Sequence, residues 1–210
     1  MKVIVSRNPL AIKQEMFARI KEDLKNKRQV YLIVPEQSTL STELDVFEYY
    51  DFESTIDLKV KSFRSIINEV LLKEGGLKLD YLSEFSQKLL LKMAINEVRD
   101  QIKVYDKYLK EDGFAKLILD FIKVIKSNLI SPDQFREIND QASYSQTLKD
   151  KMADVSLIYA AYQRLVSKSS YDGHDRVDLA ISKIPKMKDY QNISFYIDQF
   201  SNMSKQEIEL

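Results

Sequence analysis

The chain has 210 residues, enough for one large domain or two small ones, and 44% are hydrophobic, which supports a real core. Its 32 basic and 32 acidic side chains cancel, which argues against a wholesale electrostatic nucleic-acid binder and leaves room for a local basic groove. The lack of cysteine excludes a disulfide framework, a thiolate metal site and a cysteine nucleophile, and the single histidine, His174, excludes a multi-histidine metal site.

Met1-Lys2-Val3-Ile4-Val5 is too short an apolar run for a signal peptide. No stretch of about 18 apolar residues is present to span a membrane. A soluble, cytoplasmic protein is therefore expected. Residues 2–5 predict a first strand. Asn8 is a good N-cap and Pro9 suits the first helical position, where a missing N–H costs nothing. A helix follows to about Lys27, with Leu10, Ile12, Met16, Phe17, Ile20 and Leu24 on its buried side. Val30-Tyr31-Leu32-Ile33-Val34 is a continuous apolar run, as in a strand buried on both faces. It ends at Pro35-Glu36-Gln37, and a helix resumes from Ser38 or Thr39. Residues 56–60 predict a third strand. Ser62 or Ser65 then starts a helix through Leu72 that stops at Gly75-Gly76. Alternating strands and helices imply a parallel sheet with flanking helices.

From Tyr81 to Lys168 only helical periodicity is found. Helices are expected over 84–98, 114–128 and 147–167, with a short one opened by Ser131-Pro132-Asp133. The expected domains are thus an α/β unit of residues 1–80 and 169–210 and an all-helical insertion, 81–168. The loop Ser169-Ser170-Tyr171-Asp172-Gly173 returns the chain to the sheet. A helix over 176–184 leads to the last strand, Ile193-Ser194-Phe195-Tyr196-Ile197-Asp198-Gln199-Phe200, read as short and buried. Such a strand needs a helix after it, and the sequence stops soon afterwards at Leu210. The chain is therefore expected to be a piece of a longer protein.

Asp198 falls where that strand should end, which is where an open α/β fold gathers its chemistry and a nucleotide-binding fold holds magnesium. The phosphate cradle that should accompany it, G-x-x-x-x-G-K-[ST], is missing from the first turn. Ser6-Arg7-Asn8-Pro9 has no glycine, and Pro9 has no N–H to donate. Gln199, neutral, stands where hydrolysis wants a second acid. Asp198 is left with two readings, a magnesium ligand or a cap for the next turn. His174 in Asp172-Gly173-His174-Asp175 reads as a surface residue of a polar loop.

Several segments together carry a resemblance. They are Val34-Pro35-Glu36-Gln37-Ser38-Thr39; Val60-Lys61-Ser62-Phe63-Arg64; Leu148-Lys149-Asp150-Lys151 with Ile158-Tyr159-Ala160-Ala161-Tyr162; and Phe195-Tyr196-Ile197-Asp198-Gln199-Phe200 with Gln206-Glu207. In order and spacing this set resembles the N-terminal part of the B subunit of the AddAB/RexAB helicase–nuclease. More loosely the plan is similar to the first motor domain of superfamily 1 DNA helicases, with Asp198 at a degenerate Walker B position. The resemblance implies a heterodimer with an A subunit that supplies the active motor and a nuclease. It implies a bacterial complex that resects double-strand DNA ends for recombinational repair. The B subunit's own nuclease, its iron–sulfur cluster and magnesium are implied elsewhere in the full-length protein, and no cofactor is expected in this segment. The degenerate first turn argues against ATP binding and against catalysis by this segment itself. For this segment the resemblance implies guidance of single-stranded DNA and a part in recognising the Chi hotspot.

The candidate DNA-binding residues are Gln37, Thr39, Lys61, Phe63 and Arg64, all just past strand ends on one edge of a parallel sheet. Gln37, Thr39 and Phe63 match DNA-contacting positions by resemblance. Lys61 and Arg64 place two cations around the Phe63 ring. Phe63 is equally readable as a core aromatic, and Lys61 and Arg64 as a solvated surface. Two alternatives stand beside this function: a structural, partner-docking domain without DNA contact, and an ATPase with a divergent phosphate loop that uses Arg7.

Overall fold

A computed structural model describes residues 2–50, 57–76, 81–168 and 172–210. Nine α-helices and three strands are assigned among the described residues. In chain order they are α1 (Pro9–Lys25), β1 (Gln29–Ile33), α2 (Thr39–Tyr50), β2 (Leu58–Lys61), α3 (Phe63–Lys73), α4 (Glu84–Val98), α5 (Asp112–Ser127), α6 (Pro132–Gln141), α7 (Gln146–Val166), α8 (Gly173–Lys183), β3 (Ile193–Ile197) and α9 (Lys205–Glu209). The three strands form one parallel sheet in the order β2-β1-β3, with Tyr31 level with Lys59 on one side and Phe195 on the other. The fold is thus α/β: a small parallel sheet flanked by helices, with helical insertions. No helix among the described residues is long and apolar enough to cross a membrane.

The chain divides into two compact units. The first gathers residues 1–75 with 182–203 and residue 210. Its core follows from the two-residue period of the strands. Val30 and Leu32 of β1 and Leu58 of β2 face Met16, Phe17 and Ile20 of α1 and Val46 and Tyr50 of α2. Tyr31 points to the other face, where its hydroxyl donates to Glu69 of α3 at 3.0 Å. Helix α1 starts as its sequence dictates, with Asn8 Oδ1 accepting from the Leu10 N–H and Pro9 in the first turn. Leu10 is nonetheless exposed rather than buried, because it lies on the first turn, beyond the sheet-facing stripe. Helix α3 opens with a capping box between Ser62 and Ser65, and Gly75, at φ 78°, supplies the left-handed residue that ends it.

Three strand expectations need correction. Residues 2–5 form no strand: Ile4 packs on the core while Val3 and Val5 face outward, without ladder hydrogen bonds. The third strand begins at Leu58, and Ile56 lies outside the described residues. Strand β3 is not buried. It is an edge of the three-stranded sheet, and Phe195 and Ile197 are 44% and 52% exposed. Its apolar run signals β-propensity, which edge and central strands share.

The second unit comprises residues 76–181 and 204–209. Its core joins Leu91 and Ile95 of α4, Ile118 and Ile122 of α5, and Val155, Ile158 and Tyr162 of α7. Helix α5 buries the stripe through Phe114, Ile118, Ile122 and Ile125, with Ala115 and Leu119 beside it, and leaves Leu117 and Phe121 exposed. The buried Lys126 ammonium donates to Asp172, Asp175 and Gln163 at 2.6, 2.6 and 2.9 Å. Asp172 in turn accepts from the His174 and Asp175 N–H groups and so opens α8. His174 is therefore not a loop residue. It lies in the first turn of α8, half-buried, with Nδ1 2.9 Å from Gln206 Oε1. Residues 169–171, the start of the return loop, lie outside the described residues.

Candidate functional site

The carboxyl ends of β1, β2 and β3 all belong to the first unit, and the three segments that leave them are tied to one another. After β1 the chain makes a 3-10 turn, Glu36–Ser38, and enters α2 at Thr39. After β2, Ser62 caps α3, and Phe63 and Arg64 fall in its first turn. After β3 come Asp198, Gln199 and Phe200. Ser62 Oγ donates to Glu36 Oε2 at 2.9 Å, which joins the first segment to the second. Gln199 Nε2 donates to Thr42 Oγ1 at 3.1 Å, which joins the third to α2. The Phe63 and Phe200 rings meet with centroids 5.1 Å apart, which joins the second to the third. The backbone adds one more link, from the Asp198 N–H to the Ile33 carbonyl at 3.0 Å.

The residues singled out in the sequence hold different stations on this edge. Gln37 is exposed, and its amide makes no hydrogen bond among the described residues. Thr39 is half-buried and donates its hydroxyl to the Glu36 carbonyl at 3.0 Å, which leaves its oxygen free to accept. Arg64 is exposed and makes no ion pair among the described residues. Phe63 is 8% exposed, with its ring spent on Phe200. Phe200 is the more open of that pair.

Lys61 is turned onto the α3 face of the sheet, away from Gln37, Thr39 and Arg64. Its ammonium pairs with Glu69 at 3.2 Å and lies 5.6 Å from the centroid of the Tyr31 ring. Glu69 also takes Lys73 at 3.2 Å. Burial pushes the Glu69 carboxyl up, but hydrogen bonds from Lys61, Lys73 and Tyr31 outweigh it and hold the group below the usual range. Burial, with the Glu69 charge beside it, pushes the Tyr31 hydroxyl up to about 12. This corner is a closed ionic cluster that occupies the lysine. Arg64 is thus the one exposed cation on the three segments among the described residues, and the acids Glu36 and Asp198 belong to the same edge. The edge offers amides, hydroxyls, one guanidinium and one half-open aromatic ring. That set hydrogen-bonds and stacks, as in single-strand grooves, without a strong phosphate field.

Asp198 is half-buried and its carboxylate makes no hydrogen bond or ion pair among the described residues. Among those residues no cluster of three or more acids and histidines could hold a metal ion. The turn before α1 does not fit a phosphate either. Asn8 Oδ1 already takes the Leu10 N–H at 3.0 Å, Ser6 Oγ takes the Asn8 N–H at 3.1 Å, and Pro9 has none. The linking residues Glu36, Thr42 and Gln199 carry no sequence signal for these contacts. Ser62 carries a signal for its cap on Ser65, since serine three residues before Ser65 at a helix start is a capping pattern, but none for its bond to Glu36.

A family model described as ADDB, N-terminal, matches residues 10–210. Among curated proteins, the chain is 30% identical over 189 residues to the B subunit of the ATP-dependent helicase/deoxyribonuclease of Clostridium botulinum (strain Loch Maree / Type A3), covering 90% of this chain and 16% of that protein. It is 29% identical over 185 residues to the protein of the same name from Clostridium kluyveri, covering 88% of this chain and 16% of the relative. It is 25% identical over 195 residues to that of Caldanaerobacter subterraneus subsp. tengcongensis, covering 90% and 17%. The chain thus spans only a small part of the length of the curated relatives it matches. With the family model running from the second residue of α1 to Leu210, the chain belongs to the ADDB N-terminal family.

Proposed function

We propose that this chain is the N-terminal, helicase-like part of the B subunit of an ATP-dependent helicase–nuclease, and that its strand-end crevice guides single-stranded DNA. The observation that carries the reading is the meeting of three strand-end segments through Glu36–Ser62, Gln199–Thr42 and Phe63–Phe200. It occurs in a chain whose relatives are named helicase/deoxyribonuclease subunits. Gln37 reaches bases or phosphates with its amide, Thr39 accepts through its hydroxyl, Arg64 meets a phosphate, and the Phe63–Phe200 pair offers an aromatic face. Residues 1–80 and 169–210 then form the helicase-like domain, and 81–168 its helical insertion.

The spent N–H groups before α1 support a segment that does not turn over ATP, so no step is derived through a nucleotide. The motor falls to an A subunit, in a cytoplasmic bacterial complex that resects double-strand breaks for recombination and responds to Chi. The test is fluorescence anisotropy of a labelled single-stranded oligonucleotide with the full-length protein and its partner subunit, comparing wild type with Arg64→Ala and Gln37→Ala. Each variant is expected to weaken binding about three- to ten-fold, as loss of one hydrogen-bonding contact does. Unchanged binding in both would remove the crevice from the DNA path. The second reading, partner docking without DNA contact, draws on the exposed stripe Phe85, Leu89 and Met93 of α4.

A further inference from the structure

Gln199 has a φ of 65°, in the left-handed region that side chains other than asparagine and aspartate rarely enter. Two other non-glycine residues share that region among the described residues, Lys27 and Leu129. Both close helices: the Lys27 N–H meets the Leu24 carbonyl at 2.9 Å, and the Leu129 N–H meets that of Lys126 at 2.8 Å. Gln199 follows a strand, so helix termination does not account for it. An unfavourable conformation persists only when its surroundings over-determine it, and such residues gather where geometry matters.

Two contacts do the fixing. The Asp198 N–H bonds the Ile33 carbonyl, which sets the strand end immediately before Gln199. The Gln199 amide then donates to Thr42 Oγ1, and Thr42 is 2% exposed on the buried face of α2. The chain bends at this residue, and Phe200 next to it meets the Phe63 ring. Helix α2 begins at Thr39, directly after the turn that carries Gln37. One side chain therefore references the third segment of the crevice to the first.

We infer that Gln199 is a positioning residue: through its bond to Thr42 it holds a left-handed backbone that sets Phe200 against Phe63, and so fixes the aromatic wall of the crevice. This rests on the reading of the crevice as a single-strand site. The role assigned to Gln199 uses the one amide N–H that Thr42 takes. Its effect passes through Phe200.

The experiment measures oligonucleotide affinity in the full-length protein with its partner subunit. Gln199→Gly suits the left-handed backbone but deletes the pin, and Thr42→Val keeps the shape of the acceptor but deletes its oxygen. Each is expected to weaken binding about three- to ten-fold, the effect of one hydrogen bond. The double variant is expected to be no weaker than either single one, because both break the same contact. Thr42→Ser, which keeps the hydroxyl, restores wild-type affinity. In a Phe200→Ala background Gln199→Gly becomes silent. Wild-type affinity in both Gln199→Gly and Thr42→Val overturns the positioning role while leaving the DNA site intact. A further loss from Gln199→Gly in the Phe200→Ala background also overturns it, since Gln199 then acts directly on the strand. No binding by the wild-type complex overturns the single-strand reading itself, and the inference with it.

Discussion

Asp154 lies on α7 with its carboxylate buried, and three consecutive backbone N–H groups, those of Lys103, Val104 and Tyr105, donate to it at 3.0, 2.7 and 3.0 Å. One side chain thus orders the connection between α4 and α5. Asp154→Ala strands those donors and is expected to cost about 3 kcal/mol of stability, while Asp154→Asn, which keeps one acceptor oxygen, costs about half as much. Urea denaturation of the three proteins checks the ranking. Glu69 makes a different prediction, because its carboxyl is held below the usual range. A depressed carboxylate contributes stability that is present above its unfolded pKa, near 4.3, and is lost as pH falls through the folded value. Glu69→Gln should therefore flatten the acid limb of stability against pH. An unaltered limb would mean that the Lys61–Glu69–Lys73 cluster does not matter energetically.

At the scale of elements, end signals were the most readable part of the sequence. Asn8-Pro9, Ser62 and Ser131-Pro132 each cap the helix they announce, and Gly75 ends the helix it follows. These effects are local, so the sequence carries them whole. Exposure is not local. Phe195 and Ile197 read as buried and lie on an open edge, and Leu10 reads as buried and faces outward. Nothing in an apolar run states whether another element will cover it. The Gln199–Thr42 and Glu36–Ser62 links were equally illegible, since each joins residues far apart in sequence through side chains with many possible partners. One helix end is improvable. Lys27 closes α1 at φ 56°, with the Arg28 N–H on the Asp23 carbonyl at 3.1 Å and its own side chain exposed. Lys27→Gly removes the left-handed penalty and is expected to stabilise by about 1 kcal/mol, a rise in Tm of about 2–4 °C. Thermal denaturation measures it, and a fall in Tm would show that the Lys27 side chain contributes more than its backbone costs.

At the scale of the whole molecule, a neutral chain meets DNA with little long-range attraction. The crevice repeats that balance locally, because Glu69 occupies Lys61 and leaves Arg64 as the exposed cation on the three segments among the described residues. The account therefore predicts single-strand binding built on amides, hydroxyls and stacking, with a shallow dependence on salt. Family membership was legible in the collinear motifs, whereas the division of labour along the crevice needed the side-chain contacts. Phe63 shows why: the same residue in the same motif could stack on a base or on Phe200, and it is found on Phe200.

The most direct measurement is the salt dependence of single-stranded oligonucleotide affinity for the full-length protein with its partner, in wild type and Arg64→Ala. If the crevice holds the strand as described, Arg64→Ala weakens binding and lowers the slope of log K against log salt by about 0.7, the share of one phosphate contact, while Lys61→Ala leaves that slope unmoved. A slope that ignores Arg64 but falls with Lys61→Ala would contradict the account.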